Sequence, residues 1–251
     1  MGAVAPLLAL VVGSAIGLLG GGGSMLTVPI FVYVLRMEVQ PAIATSLAVV
    51  AVVSLASTLQ HYRHGRIKTK IGLAVGSAAM LGAYLGGWAA HFFPGRALMV
   101  LFSVMMVATA VSMLWGGNPH RPPSPDVSCA GRHCLRMGVV GLAVGSFTGL
   151  IGASGGFLIV PALVLAGGVP MKDAIGTSLL VITLNALAGF AGHLNHVNID
   201  WHVASLFSGF AVAGSVLGVS AVSLFSAERL RRSFAYFVLV MAVVIFTTNV
   251  R

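Results

Sequence analysis

Apolar residues fall in eight long blocks along the chain, at about 3–35, 42–60, 71–93, 97–115, 137–167, 174–192, 203–225 and 233–248. Most are close to the roughly 20 residues that an α-helix needs to span the hydrocarbon of a bilayer. The first and fifth blocks are longer, and each is cut by small residues. Gly20, Gly21, Gly22, Gly23 and Ser24 precede Pro29, and Gly152, Ala153, Ser154, Gly155 and Gly156 precede Pro161. Each glycine forfeits about 1 kcal/mol of helix propensity relative to alanine, so four in a row interrupt a regular helix. At membrane depth such an interruption survives only where protein or a water-filled cavity satisfies the freed backbone groups. The two long blocks are therefore expected to be re-entrant or broken at the glycines, not simple spans.

The two interruptions belong to a longer repetition. Residues 13–111 align with 145–243 at a constant offset of 132, and 31 of the 99 positions are identical. Apolar composition inflates such a count, so the rarer residues carry the argument. Gly13, Gly17, Gly20, Gly23 and Pro29 meet Gly145, Gly149, Gly152, Gly155 and Pro161. Thr45, Ser46 and Leu47 meet Thr177, Ser178 and Leu179, and His61 and His64 meet His193 and His196. The chain reads as repeat 1 over 1–115, a polar, proline-rich linker over 116–134, and repeat 2 over 135–251. The expected fold is an all-α polytopic membrane protein with about four hydrophobic segments per repeat.

Composition agrees, with 58% hydrophobic and only 8% charged residues and a mean hydropathy of +1.01, whereas a soluble globule carries about 25% charge. The net charge of +9 comes from 14 Lys and Arg against five acids. These cations sit in short connections, where they set topology, and not on one nucleic-acid-binding face. In the first half the loop after the second block holds Arg63, Arg66, Lys68 and Lys70, and the next loop has only Arg96. In the second half the bias is reversed, with Asp200 and no Lys or Arg in the equivalent loop and Arg229, Arg231 and Arg232 in the next. Cytoplasmic loops collect Lys and Arg, so the repeats are expected to be inverted. That requires an even number of crossings in each glycine-broken block, places the linker inside and puts both termini outside. The N-terminus has no basic stretch before its apolar run, which argues against a cleaved signal peptide.

The candidate chemistry lies at the interruptions. A helix starting after a glycine break turns unpaired N–H groups and the positive end of its dipole inward, and such ends hold anions without a buried cation. Glycine also lets the backbone approach a ligand closely. Candidate binding residues are Gly20, Gly21, Gly22, Gly23, Ser24, Thr45 and Ser46 in the first half. Gly152, Ala153, Ser154, Gly155, Gly156, Thr177, Ser178 and Asn185 are their counterparts in the second. Asn185 matches Val53 and so has no polar equivalent; as a mid-helix amide it is expected to face the interior, as a binding group or as interhelical glue. For Gly13, Gly17, Gly82, Gly86, Gly214 and Gly218, close helix packing is the better reading.

His61 with His64, and His193 with His196, each share a helix face. Inverted repeats would put the pairs at opposite surfaces, which favours interfacial placement over one metal site. Cys129, His133 and Cys134 lack a fourth ligand, so no metal and no cofactor is expected. All five acids, Glu38, Asp126, Asp173, Asp200 and Glu228, fall in expected loops or helix ends. A cation pump or carboxylate-driven antiporter is thereby disfavoured, and there is no P-loop for direct use of ATP.

The paired motifs G-L-L-G-G-G-G-S-x-L-x-V-P and G-L-I-G-A-S-G-G-x-L-I-V-P, each followed by A-I-x-T-S-L, resemble the sulfite exporter TauE/SafE family of small membrane transporters. The resemblance covers all of the chain except the linker. It implies passage of small anions, chiefly sulfite, sulfonates or related sulfur compounds, through a duplicated bundle in a bacterial inner membrane, by a non-enzymatic route. The second cluster departs from the first, with Ala153 and Ser154 in place of Gly21 and Gly22, so the two halves need not bind alike.

The reading is a secondary transporter or facilitator, in the export direction, with its site between the two broken helices and alternating access by movement of one repeat unit against another. The alternatives are an anion channel or a carrier of another small organic anion. Its partners are the small anionic substrate and membrane lipid, with a coupling proton or sodium ion and a homodimer left open, and no nucleic acid.

Overall fold

The computed structural model describes residues 4–115, 132–151, 156–166, 168–193, 197 and 199–250. Among these, every regular element is helical. In chain order they are α1 (Val4–Leu19), a 3-10 turn (Gly20–Gly23), α2 (Ser24–Pro29) running into a π-helical turn (Ile30–Val34), α3 (Val39–Arg63), α4 (Thr69–Ala89) and α5 (Gly95–Trp115). Then follow α6 (Arg132–Ile151), α7 (Gly156–Pro161) with a second π turn (Ala162–Ala166), α8 (Met171–His193), α9 (Trp201–Ala221) and α10 (Ala227–Val250). Four stretches, Val39–Arg63, Thr69–Phe92, Met171–His193 and Trp201–Ala221, are long and apolar enough to cross a membrane. Leu7, Leu81, Leu85 and Leu217 stand outward and exposed, as side chains that meet lipid do.

The glycines decide which helices touch. A methyl group placed on Gly145 would lie 2.0 Å from the Ala79 carbonyl oxygen, and one on Gly149 would lie 2.0 Å from that of Ala83. The backbones of α6 and α4 are thus in direct contact, and the register rises together on both, so the pair is parallel. The same contact recurs between α1 and α9, where Gly13 meets Ala211 and Gly17 meets Ser215. Reciprocal contacts follow suit: Gly82 meets Leu142 and Gly214 meets Leu10, while Gly86 meets Ser146 and Gly218 meets Ser14. With no hydrophobic force between helices in lipid, such close small-residue approach is what holds them. The first helix of each half is therefore seated on a helix of the other half.

At the centre α3 crosses α8. Gly176 lies against His61, Thr183 Oγ1 meets Ser54 Oγ at 3.0 Å, and Gly189 lies against Leu47. Numbers rise on α8 as they fall on α3, so this pair is antiparallel. The buried apolar side chains Ile43, Leu47, Val50, Val53, Leu179, Val181 and Ile182 of these two helices join one core with Ile16, Phe31, Phe102 and Phe207.

Gly20 carries a positive φ of 69°, a conformation that a side chain disfavours, and the chain doubles back there. Gly23 lies against the Ile16 backbone and the Val12 carbonyl, so the 3-10 turn and α2 fold onto α1 as a hairpin. The His61 Nε2 to Gly17 carbonyl contact, 3.4 Å, brings the C-terminal ends of α1 and α3 to one level. The returning arm bends where Pro29 removes a backbone donor and the ladder widens to π. It ends with Met37 N–H donating to the Phe31 carbonyl at 2.9 Å, through Arg36 at a φ of 56°. The second half repeats this ending: Val169 N–H donates to Leu163 at 3.0 Å, through Gly168 at 63°.

Candidate functional site

The Gly20 turn is buried against α8. A methyl group on Gly20 would lie 2.8 Å from Ser178 Oγ, 3.3 Å from the Ile175 carbonyl oxygen and 3.3 Å from Val160 of α7. The first glycine cluster of one half thus meets the Thr-Ser pair of the other half. Gly20, Gly21, Gly23 and Ser24 are all buried, and Gly22 is part of the same turn. Gly152, Ala153, Ser154 and Gly155 lie outside the described residues, as does the linker over 116–131. Gly156 opens α7.

The hydroxyls of the predicted site are used unequally. Ser24 donates to the Gly21 carbonyl at 2.7 Å, Ser46 to Ile43 at 2.7 Å and Ser178 to Ile175 at 2.8 Å. Each thereby satisfies a carbonyl of its own helix or turn, a common arrangement in apolar surroundings. Thr177 Oγ1 accepts from the Lys68 backbone N–H at 3.0 Å, which fixes the α3–α4 loop on the first turn of α8. Lys68 Nζ lies 3.5 Å from Asp173 Oδ2 in the same place. Thr45, its sequence counterpart, is fully buried with no partner for Oγ1.

Asn185 is the most demanding group. It is 1% exposed, and neither Oδ1 nor Nδ2 has a partner among the described residues. A buried amide offers two donors and two acceptor lone pairs, and leaving them unmade costs about 1–3 kcal/mol per group. Ser178, Asn185 and Gly189 recur at the seven- and four-residue spacings that share a helix face. Ser178 at one end of that stripe meets Gly20, and at the other a methyl group on Gly189 would lie 3.5 Å from Leu47 and 3.6 Å from the Cα of Gly149 near the end of α6. Asn185 sits between these two contacts, on the opposite side of α8 from the Thr183–Ser54 pair.

Sequence reasoning missed Thr27 and Thr58, both buried with an unpartnered hydroxyl. It selected residues by recurrence, and these match Ile159 and Phe190, so no signal marked them. Two of the histidines stand in the last turns of their helices and are enclosed by protein. His61 is fully buried, with its ring on the Gly17 carbonyl, and His193 is buried with Nδ1 on the Gly189 carbonyl at 2.9 Å. His64 alone of that pair is exposed. Gly176 lies against His61 and Gly87 against His193, contacts between distant segments that sequence does not reveal. His196 lies outside the described residues.

Helices throughout the described residues, several of them of bilayer length, with an apolar exterior and polar groups buried at the core, define a multi-pass membrane protein. The chain belongs to the sulfite exporter TauE/SafE family, whose profile matches residues 5–245. It is 33% identical over 235 residues to a probable membrane transporter protein of Xylella fastidiosa (strain 9a5c), covering 92% of this chain and 90% of that one. It is also 27% identical over 189 residues to the probable membrane transporter protein YdhB of Bacillus subtilis (strain 168), with 75% and 77% covered. A probable membrane transporter protein of Haemophilus influenzae is 25% identical over 266 residues, with 96% and 97% covered. No solved structure matches the chain. The protein is a membrane transporter and not an enzyme, and its place is the inner (cell) membrane, which it crosses several times.

Proposed function

We propose that this transporter carries small sulfur-containing anions such as sulfite or organosulfonates, as a secondary transporter or facilitator working outward, through a site between its two glycine-broken hairpins. The observation that carries the reading is the α8 stripe on which the unpartnered Asn185 lies between the Gly20 contact at Ser178 and the Gly149 contact at Gly189. Thr27 and Thr45, with free buried hydroxyls, extend the set of neutral donors, and Gly20 to Gly23 with Ser24 form the turn that bounds it. Gly152 to Gly156 bound the other side, by the sequence repeat. In this reading Ser46, Thr177 and Ser178 shape the ends of the site. Substrate binding is then achieved by hydrogen bonds and helix ends, without a buried cation.

The repeats are read as inverted, and three contacts support this. The equivalent helices α3 and α8 are antiparallel, α1 ends level with α3, and the Gly20 hairpin returns the chain, giving the even number of crossings that inversion requires. The parallel pairs α1 with α9 and α6 with α4 have identical registers once the offset of 132 is applied. Broken helices in corresponding positions of inverted repeats are where transporters bind substrate.

The test is flux. Purified protein in proteoliposomes should move sulfite or a sulfonate down its gradient, and Gly22→Leu should abolish this with the fold retained by circular dichroism. Undiminished flux in Gly22→Leu removes the glycine turn from the site. A conductance that ignores every ion gradient but that of the anion replaces the carrier with a channel.

A further inference from the structure

Asn185 says more about its ligand than that it is polar. Several other polar groups on α8 and α3 are paired: Thr183 Oγ1 donates to the Leu179 carbonyl and meets Ser54 Oγ at 3.0 Å, and Ser57 donates to the Val53 carbonyl. An amide used to join helices would show such a partner. Both ends of the Asn185 amide are instead open in a site 1% exposed. A ligand that satisfies both must accept from Nδ2 and donate to Oδ1. A fully deprotonated oxyanion has only acceptors, and its oxygens would face Oδ1 lone pair to lone pair.

Charge leads to the same point. The desolvation cost of an ion rises with the square of its charge and falls most heavily where no counter-ion is near. On α8 itself the ionisable residues are Lys172 and Asp173 in the first turn and His193 in the last. On the helices packed against it they also sit toward ends: His61, Tyr62 and Arg63 in the last turn of α3, and Lys70 in the first turn of α4 with Tyr84 beyond mid-helix. The first two turns of α6 hold Arg132, His133, Cys134 and Arg136. On α10, Glu228, Arg229, Arg231 and Arg232 come first, followed by Tyr236. The Gly20 turn and α7 have none. His193 is eight residues from Asn185, or about 12 Å along a helix. Among the described residues of these elements every Lys and Arg lies toward a helix end, so none is placed to offset a second negative charge at the middle of α8.

Resting on the site proposed above, we infer that Asn185 selects a singly charged oxyanion that still carries one proton, Nδ2 donating to its charged oxygen and Oδ1 accepting its O–H. Hydrogen sulfite has this form and loses its proton near neutral pH. Methanesulfonate shares the charge but has no proton to donate, and sulfate is a dianion.

Calorimetric titration of the purified protein with sulfite, methanesulfonate and sulfate tests this. Sulfite affinity should fall several-fold from about pH 6 to about pH 8, in step with the protonated fraction. Methanesulfonate should bind roughly tenfold more weakly than sulfite at about pH 6, the loss expected when one charge-assisted or buried hydrogen bond is left unmade, and its affinity should not change with pH, so that the gap narrows toward pH 8. Sulfate should not bind. Asn185→Leu, alike in branching and heavy-atom count and free of unsatisfied atoms, should fold and lose the preference for sulfite over methanesulfonate. His61→Gln and His193→Gln should keep the pH dependence. Equal, pH-independent binding of sulfite and methanesulfonate, or a pH dependence that vanishes in either histidine variant, overturns the inference and leaves the site intact. Absence of binding by all three anions, or binding unaltered in Asn185→Leu, overturns the site itself.

Discussion

Thr177 and Thr45 occupy the same place in two helices of related sequence, yet only one is engaged. At Thr177 the Lys68 amide donates to the hydroxyl, Lys68 Nζ approaches Asp173, and the Arg66 carbonyl would lie 2.4 Å from a methyl group on Gly176. The α3–α4 loop thus lies flat on the first turn of α8. At Thr45 each of those parts is replaced. Ala44 stands for Gly176, Pro41 for Asp173 and Asp200 for Lys68. Asp200 turns to its own helix instead, its carboxylate accepting from the His202 and Val203 amides at 3.0 and 3.1 Å. One end of the bundle is latched by its loop, and the other keeps a buried hydroxyl in reserve. Small exchanges of residues between the two halves thus leave the two ends of the bundle held differently.

The comparison is broken most directly at Gly176. Gly176→Ala drives a methyl group into the Arg66 carbonyl, and overpacking of this kind costs about 1–3 kcal/mol, read as a lowered melting temperature in detergent. The mirror change, Ala44→Gly, should cost no more than about 1 kcal/mol. Equal losses would mean that the loop contact at Gly176 carries no special weight.

A smaller effect separates the hydroxyls. Thr177→Val leaves the Lys68 N–H without its acceptor and should destabilise by about 1 kcal/mol, with faster hydrogen exchange at Lys68. Thr45→Val removes an unpartnered buried hydroxyl and should be neutral or mildly stabilising. A penalty at Thr45 as large as that at Thr177 would show a partner for Thr45 in the resting protein.

The smallest effect concerns the ends of the two hairpins. Arg36 holds a positive φ that Gly168 adopts freely, so Arg36→Gly should gain a few tenths of a kcal/mol up to about 1. Gly168→Ala should lose a similar amount, and no difference between the two would remove the strain at Arg36.

Much of this architecture was legible as pattern. The apolar blocks correspond to helices, the first of them breaks at Gly20 to Gly23, and Gly13, Gly17, Gly82, Gly86, Gly214 and Gly218 stand where backbones meet. What no pattern disclosed is the pairing. Glycine periodicity shows that a helix has a close neighbour and gives no hint which one, so the exchange of α1 and α6 between halves could be seen only in space. The residues proposed for the site stood out in sequence mainly where the two halves agree, at the glycine clusters and the Thr-Ser pairs. Asn185 was noticed because an amide is rare in an apolar run; Thr27 and Thr58 were lost because threonine is not. The same limit hid the engagement of Thr177, which depends on a loop more than a hundred residues away.

The exchange of first helices also sets a timetable for assembly. Gly13 and Gly17 of α1 are filled by Ala211 and Ser215, about 200 residues later in the chain. A ribosome adding about 5–20 residues per second needs roughly 10–40 s to cover that interval. Throughout it the first half waits in the membrane with a glycine groove facing lipid. Neither half is complete until the other has been made, so this protein matures as a whole at the close of its synthesis and not in instalments.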